Sequence, residues 1–367
     1  AEDAADGACV VCVDFGSTFT KVSLIDLAQA RVVAAAEHPT TIGTDVLEGY
    51  DACLASLVAQ DPRAAGAEVL ACSSAGGGLR IAVVGNEELV TAEAGRRVAL
   101  SSGGRVVAVV ALGGTGRGPD ADPMAGLRHT TPPPDLVLLT GGTDGGNAEV
   151  LRDAARALVG SGWRGPVVVA GNSDAAPEVS AVLSDAAVPH VVADNVVPRI
   201  GVLRPDSARA AIREVFLSHV IGGKELSSRD GGRAFAGLVR GATPDVVLTG
   251  VEVLASLVGD VVVVDVGGAT TDVHSVVELD PEDAGLARDV VARTPRTRTV
   301  EGDLGMRWSA LSTVEEAGLE SDARLLAAAT ERFDDPSYLP VAERDHDAGA
   351  RRRAAGRRSD RRHRRPG

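Results

Sequence analysis

Asp265-Val266-Gly267-Gly268-Ala269-Thr270-Thr271-Asp272 is the stretch that decides the fold, because it separates two short apolar runs, 261–264 and 273–277. Runs of this kind predict β-strands, so the stretch is predicted to be a tight turn between two strands. Glycine in such a turn lets backbone N–H groups approach an anion closely, since no Cβ intervenes. The pattern therefore predicts a phosphate-binding hairpin.

A second stretch of the same kind occurs much earlier in the chain, Asp14-Phe15-Gly16-Ser17-Thr18-Phe19-Thr20-Lys21, between the β-like runs 10–13 and 22–25. Its hydroxyls add hydrogen-bond donors, and a carboxylate beside phosphates can hold Mg²⁺ through water. One such turn is weak evidence in a chain with 43 glycines among 367 residues. Two acid-led hairpins favour nucleotide binding over two unrelated β-turns. Facing each other, they would hold the phosphates between two lobes.

The two stretches resemble the phosphate-1 and phosphate-2 loops of the actin/Hsp70/sugar-kinase ATPase superfamily. Four further stretches narrow the resemblance to the MutL/GlmL family: Cys72–Arg80, Leu139–Asn147, Asn195–Pro198 and Val300–Arg307. The resemblance is collinear from Val10 to Trp308. Members of this family accompany adenosylcobalamin-dependent glutamate (methylaspartate) mutase, and they are distinct from the DNA mismatch-repair protein that shares the name.

The resemblance implies ATP and Mg²⁺ as ligands. Asp14 and Asp265 would position Mg²⁺ through water and would also position the attacking water. The first loop would hold the β- and γ-phosphates through Gly16, Ser17, Thr18 and Lys21. The second loop would hold the γ-phosphate from the other side through Gly267, Gly268, Thr270 and Thr271. The sequence does not identify a general base.

The fold that the resemblance implies is α/β: an actin-like ATPase (ribonuclease H-like) fold with two lobes and a large inserted parallel α/β region. Independently, continuous valine runs such as Val167–Val169 predict central strands that are covered on both faces. Strands that alternate with helical patterns over residues 105–193 predict a parallel sheet. A strand at Val246–Thr249, a short helix at Val251–Leu257 and one or two helices between 312 and 331 are predicted further along.

Four parts are predicted along the chain: an acidic extension over residues 1–8, the first lobe with the insertion over 9–250, the second lobe over 251–340, and a disordered arginine-rich tail over 341–367. The tail is expected to lie beyond the family resemblance. In the superfamily a later glycine-rich turn packs against the adenosine, and no equivalent follows Arg307. The sequence therefore leaves open whether the second lobe is complete.

Three smaller features have alternative interpretations. The turn Gly141–Asn147 is either an anion site at a helix N-terminus or a plain strand-to-helix turn capped by Asn147. Cys9 and Cys12 have the spacing of a redox motif, but they fall in a predicted strand, which favours two buried small side chains. The seven histidines show no metal-ligand spacing.

Composition limits the choice of partners. The net charge is −14, although nine arginines lie within 351–367, and so acidic a body argues against a general nucleic-acid partner. No apolar run is long enough to span a bilayer, no signal peptide is visible, and four cysteines are too few for a disulfide framework. We expect a cytoplasmic protein with no membrane association, whose partners are subunits of the mutase.

The favoured function is that of a nucleotide-dependent accessory or reactivating protein for the mutase, because two lobes that close on ATP form a two-state switch. Whether the chain is itself an enzyme stays open, and a weak ATPase activity fits this hypothesis. One alternative is a small-molecule kinase of the sugar-kinase type. Another is a non-catalytic scaffold or a truncated remnant of the family.

Overall fold

A computed structural model of the chain describes residues 8–86, 88–113, 122, 124–278, 295–302, 304–335 and 338. The predicted acidic extension (except Ala8) and the predicted disordered tail lie outside these residues. The chain forms two compact units. Unit 1 consists of Ala1–Gly76, Val262–His274 and Thr299–Gly367, and unit 2 consists of Gly77–Val261 and Ser275–Arg298.

Unit 1 opens with a β-meander. Its first elements are β1 (Cys9–Phe15), β2 (Phe19–Asp26), β3 (Arg31–Pro39), helix α1 (Val46–Gln60) and β4 (Glu68–Ser73). Strand β1 pairs antiparallel with β2 and parallel with β4, and β2 pairs antiparallel with β3, which gives the order β4-β1-β2-β3. Alternate side chains of β1 and β2 are buried, including Val11 and Leu24, as expected where one sheet face packs on a core.

Unit 2 contains a parallel sheet that alternates with helices. The strands are β5 (Leu79–Gly85), β6 (Gly104–Ala111), β7 (Leu136–Leu139), β8 (Val167–Val169) and β9 (His190–Val192). The helices among them are α2 (Glu93–Ser101), α3 (Ala125–Arg128), α4 (Glu149–Gly160) and α5 (Ala176–Asp185). The spatial order is β6-β5-β7-β8-β9, and every pair is parallel. The predicted parallel α/β region is confirmed.

The core of this sheet explains why its strands read as continuous valine and leucine runs. All of β7 and β8 is buried, so side chains on both faces of these strands are removed from water. One face packs against α4 and α5 through Leu139, Val169, Leu151 and Val179. A strand that is buried on both faces needs apolar residues at every position, so its sequence does not alternate between apolar and polar residues.

The rest of unit 2 differs from the prediction at one helix. After α6 (Asp206–Val215), α7 (Arg233–Leu238) and β10 (Val239–Ala242), residues Thr243–Val258 form a single helix, α8. The predicted strand Val246–Thr249 is therefore wrong. Pro244 lies in the first turn of α8, and Gly259, with φ 84°, ends the helix. These two helix signals outweigh the strand preference of the pair Val246-Val247.

The remaining elements are β11 (Val261–Val266), β12 (Thr271–Val276), β13 (Arg296–Glu301), α9 (Ala310–Glu316) and α10 (Ala323–Asp334). The three strands form a sheet in the order β11-β12-β13. Two helices thus occupy the region where one or two were predicted. Asp322 caps α10 by accepting from the N–H groups of Arg324 (3.1 Å) and Leu325 (3.2 Å). In the described part of the chain, no helix combines the length and the apolar character that a membrane span requires.

A largely buried group of three charged side chains, Arg80, Asp135 and Lys224, lies at the start of β5 in unit 2. Asp135 accepts from Arg80 Nη2 (2.6 Å) and Arg80 Nε (3.1 Å), and Lys224 Nζ lies 3.4 Å from its Oδ2. Lys224 also donates to the carbonyl of Gly78 (2.6 Å). Burial opposes ionisation of Asp135, but the hydrogen bonds from Arg80 and the charge of Lys224 outweigh it and hold the pKa of Asp135 below its ordinary value.

This lowered pKa predicts an acid-sensitive unit 2. A carboxyl with a depressed folded-state pKa contributes stability above its unfolded pKa of about 3.9, and that stability is lost as the pH falls through the folded value. Between about pH 6 and about pH 3, Asp135→Asn should therefore lose less of its free energy of unfolding than the native chain. In a Trp308→Phe background, Trp163 fluorescence during urea unfolding reports on unit 2. The exposed Asp185→Asn is the control, and an equal pH dependence in all three proteins would contradict the prediction.

Candidate functional site

The first predicted loop is a tight hairpin between β1 and β2. Asp14 faces Lys21 across the ladder, and Phe15 faces Thr20. The turn closes with a hydrogen bond from the Gly16 N–H to the carbonyl of Phe19 (3.1 Å). A Cβ on Gly16 would lie 2.6 Å from that carbonyl oxygen, so the turn requires glycine at this position.

The acidic residue of this loop already has a cationic partner. Lys21 Nζ lies 3.7 Å from Asp14 Oδ2, and the Lys21 side chain is largely exposed while that of Asp14 is about a quarter exposed (28%). Cys72 Sγ lies 3.7 Å from the other carboxylate oxygen. An exposed lysine in a weak, long pair can turn towards another anion at little cost.

A third chain segment supports the first loop. The N–H groups of Ser74 and Ala75 both donate to the carbonyl of Phe15 (3.0 Å each), and Ser17 Oγ donates to the carbonyl of Ser74 (3.2 Å). These contacts belong to the stretch after β4 that carries part of the family resemblance, and they fix the direction of the turn.

The second predicted loop joins β11 to β12 and closes with a hydrogen bond from the Gly267 N–H to the carbonyl of Thr270 (2.8 Å). Its hydroxyls are engaged within unit 1: Thr270 Oγ1 donates to Asp272 (3.2 Å), and Thr271 Oγ1 donates to the carbonyl of Leu304 (2.6 Å). Asp265, at the end of β11, is exposed. The prediction that both stretches form strand–turn–strand hairpins is confirmed.

The two loops meet at Gly268. A Cβ on Gly268 would lie 2.2 Å from Thr18 Oγ1 and 3.0 Å from Thr18 Cβ, so only glycine allows this approach. Thr18 Oγ1 is buried and has no hydrogen-bond partner among the described residues. A buried hydroxyl without a partner is uncommon and costs free energy. The fold thus brings the two predicted loops into contact and leaves a polar group unsatisfied where they meet.

The segment 304–309 covers the second loop along its length. The N–H groups of Met306 and Arg307 donate to the carbonyls of Gly267 (2.9 Å) and Gly268 (2.7 Å), and Ser309 Oγ donates to the carbonyl of Ala269 (2.7 Å). Gly305 lies so close to Ala269 that a Cβ would come within 2.5 Å of its carbonyl carbon. Residues 304–307 contribute to the family resemblance but were not predicted to belong to the site, although Gly305 is a signal of close backbone approach.

The geometry fits an anion better than a protein-caged metal. No group of three or more His, Cys, Asp or Glu side chains within the described ranges could hold a metal ion. Glycine turns that admit close approach, the unsatisfied Thr18 hydroxyl and the exposed Lys21 are donors suited to phosphate oxygens. Asp14 and Asp265 could act on Mg²⁺ only through water or a bound phosphate, as the sequence analysis expected.

The contacts of the turn Gly141–Asn147 in unit 2 favour a plain strand-to-helix turn over an anion site. Asn147 Oδ1 accepts from the Glu149 N–H (3.0 Å), which caps α4. Asp144 accepts from Asn195 Nδ2 (2.9 Å) and from both the N–H and the hydroxyl of Ser173 (3.0 Å each). These bonds tie the turn to the loops after β8 and β9.

The cysteine prediction needs one correction. Cys9 is half-buried, but Cys12 is exposed rather than buried. Residues 9, 11, 13 and 15 of β1 share one face of the sheet, and the last three of these are buried, whereas Cys12 lies on the opposite face with Val10 and Asp14. All four cysteines are free thiols.

Comparison with known proteins identifies relatives. The family described as "MutL: MutL protein" matches residues 10–365. The arginine-rich segment therefore falls largely within the matched range, and the expectation that it lies beyond the family resemblance is wrong. The chain is 37% identical over 317 residues to "Protein MutL" of Clostridium tetanomorphum, an alignment that covers 83% of this chain and 66% of that relative. The chain thus spans just under two thirds of the relative's length.

The contact at Gly268 predicts a specific coupling between the loops. Gly268→Ala should destabilise unit 1 by about 1–3 kcal/mol because its methyl group overlaps Thr18. Thr18→Ala removes the overlapping oxygen, so the double variant should be more stable than the sum of the single changes predicts. In a Trp163→Phe background, Trp308 fluorescence during urea unfolding reports on unit 1.

The matched control is Gly66→Ala in unit 1, where an added Cβ meets no atom within 4 Å. This change should be neutral or slightly stabilising, because alanine has fewer conformations than glycine in the unfolded chain. A Gly268→Ala protein as stable as the native chain, or additive effects in the double variant, would contradict the described contact.

Proposed function

The chain belongs to the MutL protein family, and we propose that it is a nucleotide-dependent accessory protein of an adenosylcobalamin-dependent glutamate (methylaspartate) mutase. The proposal includes an actin-like ATPase fold, to which the α/β architecture of both units is suited. Fold analogy alone does not establish an activity, so the evidence for nucleotide binding comes from the two glycine turns of unit 1.

The observation that carries the proposal is the contact of the two acid-led glycine turns at Gly268. The turns are separated by about 250 residues of sequence, yet Thr18 and Gly268 approach so closely that no side chain fits between them. Two unrelated surface turns have no reason to converge in this way. Convergence of two backbone turns with an unsatisfied hydroxyl between them suits a ligand that carries several phosphate oxygens.

In the proposed complex, the first loop contacts the β- and γ-phosphates through Gly16, Ser17, Thr18 and Lys21. The second loop contacts the γ-phosphate through Gly267, Gly268, Thr270 and Thr271. For Thr270 and Thr271 this requires their hydroxyls to exchange a protein acceptor for the phosphate. Asp14 and Asp265 orient hydrated Mg²⁺ and the attacking water. Phosphoryl transfer needs mainly positioning and charge neutralisation, and these groups supply both.

Reactivation is the proposed use of the nucleotide. Adenosylcobalamin supplies the radical chemistry of the mutase, and a damaged cofactor must leave before activity can return. A partner protein can drive that release only if it binds two states of the mutase differently, and a nucleotide can select between two states of the partner. ATP binding and hydrolysis at the two loops would provide that selection.

The first test is calorimetric titration of Mg·ATP into the purified chain. We expect binding that Asp14→Asn and Asp265→Asn each weaken at least about tenfold, because each variant loses a carboxylate that orients the metal. Hydrolysis by Asp265→Asn should fall by about 100-fold or more with the fold intact. The exposed Asp185→Asn should behave as the native chain does, and native turnover by Asp265→Asn would refute the assignment.

The second test adds the chain and Mg·ATP to mutase inactivated by turnover. Recovery of mutase activity that requires hydrolysable ATP supports the accessory function. Transfer of phosphate to a small acceptor without recovery would favour the small-molecule kinase instead. Absence of any nucleotide binding would leave a non-catalytic scaffold.

A further inference from the structure

Arg307 is half-buried, and its guanidinium group is only partly hydrogen-bonded. Its Nε is buried without a hydrogen-bond partner, and Nη1 donates only to the carbonyl of the preceding Met306 (3.1 Å). No salt bridge joins Arg307 to a carboxylate in the part of the chain that the structure describes. An arginine normally satisfies its fork of donors, so a half-buried one without an acid is unusual.

The surroundings of Arg307 increase the positive charge. Burial lowers the pKa of Arg307, and the nearby guanidinium of Arg332 lowers it further, whereas Asp335 compensates only in part. Arg332 is itself fully buried, where it donates to the carbonyl of Ala328 (2.8 Å) and stacks over the ring of Tyr338 (5.4 Å). The net effect of these groups opposes the charge of Arg307.

Arg307 also lies where the two loops meet. Its N–H donates to the Gly268 carbonyl (2.7 Å), and its Cγ would lie 3.3 Å from a Cβ on Gly268. The same position would contact Thr18 Oγ1, the buried hydroxyl without a partner. Two residues that each carry an unsatisfied donor, one cationic and one neutral, thus lie next to one glycine within unit 1.

We infer that Arg307 is a phosphate-binding residue that completes the site from the segment 304–309, where it binds a terminal phosphate together with Thr18. The inference rests on the proposed function, since it takes the anion to be a phosphate of the nucleotide. Guanidinium groups suit phosphate because two N–H groups can donate to two oxygens at once. The arrangement assigns three chain segments, rather than two loops, to phosphate binding.

The experiment measures anion binding and stability in the same variants. Trp308 is next to Arg307 and about half exposed, so its fluorescence in a Trp163→Phe background should report titrations with Mg·ATP and with sodium tripolyphosphate. Arg307→Met should bind both ligands roughly ten- to hundredfold more weakly, the range for a lost charge-assisted hydrogen bond. Arg307→Lys, which keeps the charge but not the fork, should fall between Met and native. Arg324→Met, an exposed change in the same unit, is the control.

Stability separates a binding role from a merely structural one. Without ligand, unit 1 of Arg307→Met should be at least as stable as in the native chain, because a buried charge without a partner has been removed. Tripolyphosphate should stabilise native unit 1 against urea but not the methionine variant. If the methionine variant does not fold, Arg307→Gln replaces it with the same expected loss of binding.

The outcomes distinguish this inference from the proposed function. Native binding of Mg·ATP that depends on Asp14 but is unchanged in Arg307→Met overturns the inference and leaves the proposed function standing. Binding of tripolyphosphate that depends on Arg307, without binding of Mg·ATP, supports the inference and counts against the nucleotide function. Absence of binding of either ligand by the native chain overturns the inference.

Discussion

The site in unit 1 depends on one steric constraint, the approach of Gly268 to Thr18. No side chain fits at residue 268, and the neighbouring segment 304–309 reaches the same place through hydrogen bonds to the carbonyls of Gly267 and Gly268. Gly305 is held against Ala269 for the same reason. Close backbone contact of this kind places N–H groups and short polar side chains around a small volume, and this geometry suits phosphate oxygens better than it suits an apolar ligand.

Electrostatics adds to the steric argument. In unit 2, Asp135 forms salt bridges with Arg80 and Lys224. In unit 1, Arg307 forms no salt bridge with a described carboxylate, and its Nε has no hydrogen-bond partner. Folded proteins satisfy buried polar groups wherever function does not require otherwise, and strain that persists marks functional positions. Thr18 and Arg307, which each carry an unsatisfied buried donor, both lie next to Gly268.

The sequence predicted what local chemistry determines. Acid-glycine patterns between apolar runs gave both hairpins, and the valine runs gave the parallel sheet of unit 2. The sequence did not predict the tertiary contacts. The covering of the second loop by the segment 304–309 joins residues about 40 positions apart with no periodic pattern, and α8 was misread because a valine pair favours strands locally while Pro244 and Gly259 define a helix. The actin-like fold and the roles of Asp14 and Asp265 stay predictions.

Chain connectivity links the site to the division into units. The chain passes from unit 1 to unit 2 after Gly76, two residues beyond Ser74, whose carbonyl accepts from Ser17 of the first loop. It re-enters unit 1 at Val262, within β11, the strand that leads directly into the second loop. The larger part of unit 2, Gly77–Val261, therefore lies between the two loops in the sequence, and the chain passes between the units twice more, after His274 in β12 and after Arg298 in β13. The first three crossings lie in or next to the strands and turns that carry the loops, so the sequence segments that form the site also connect the two units.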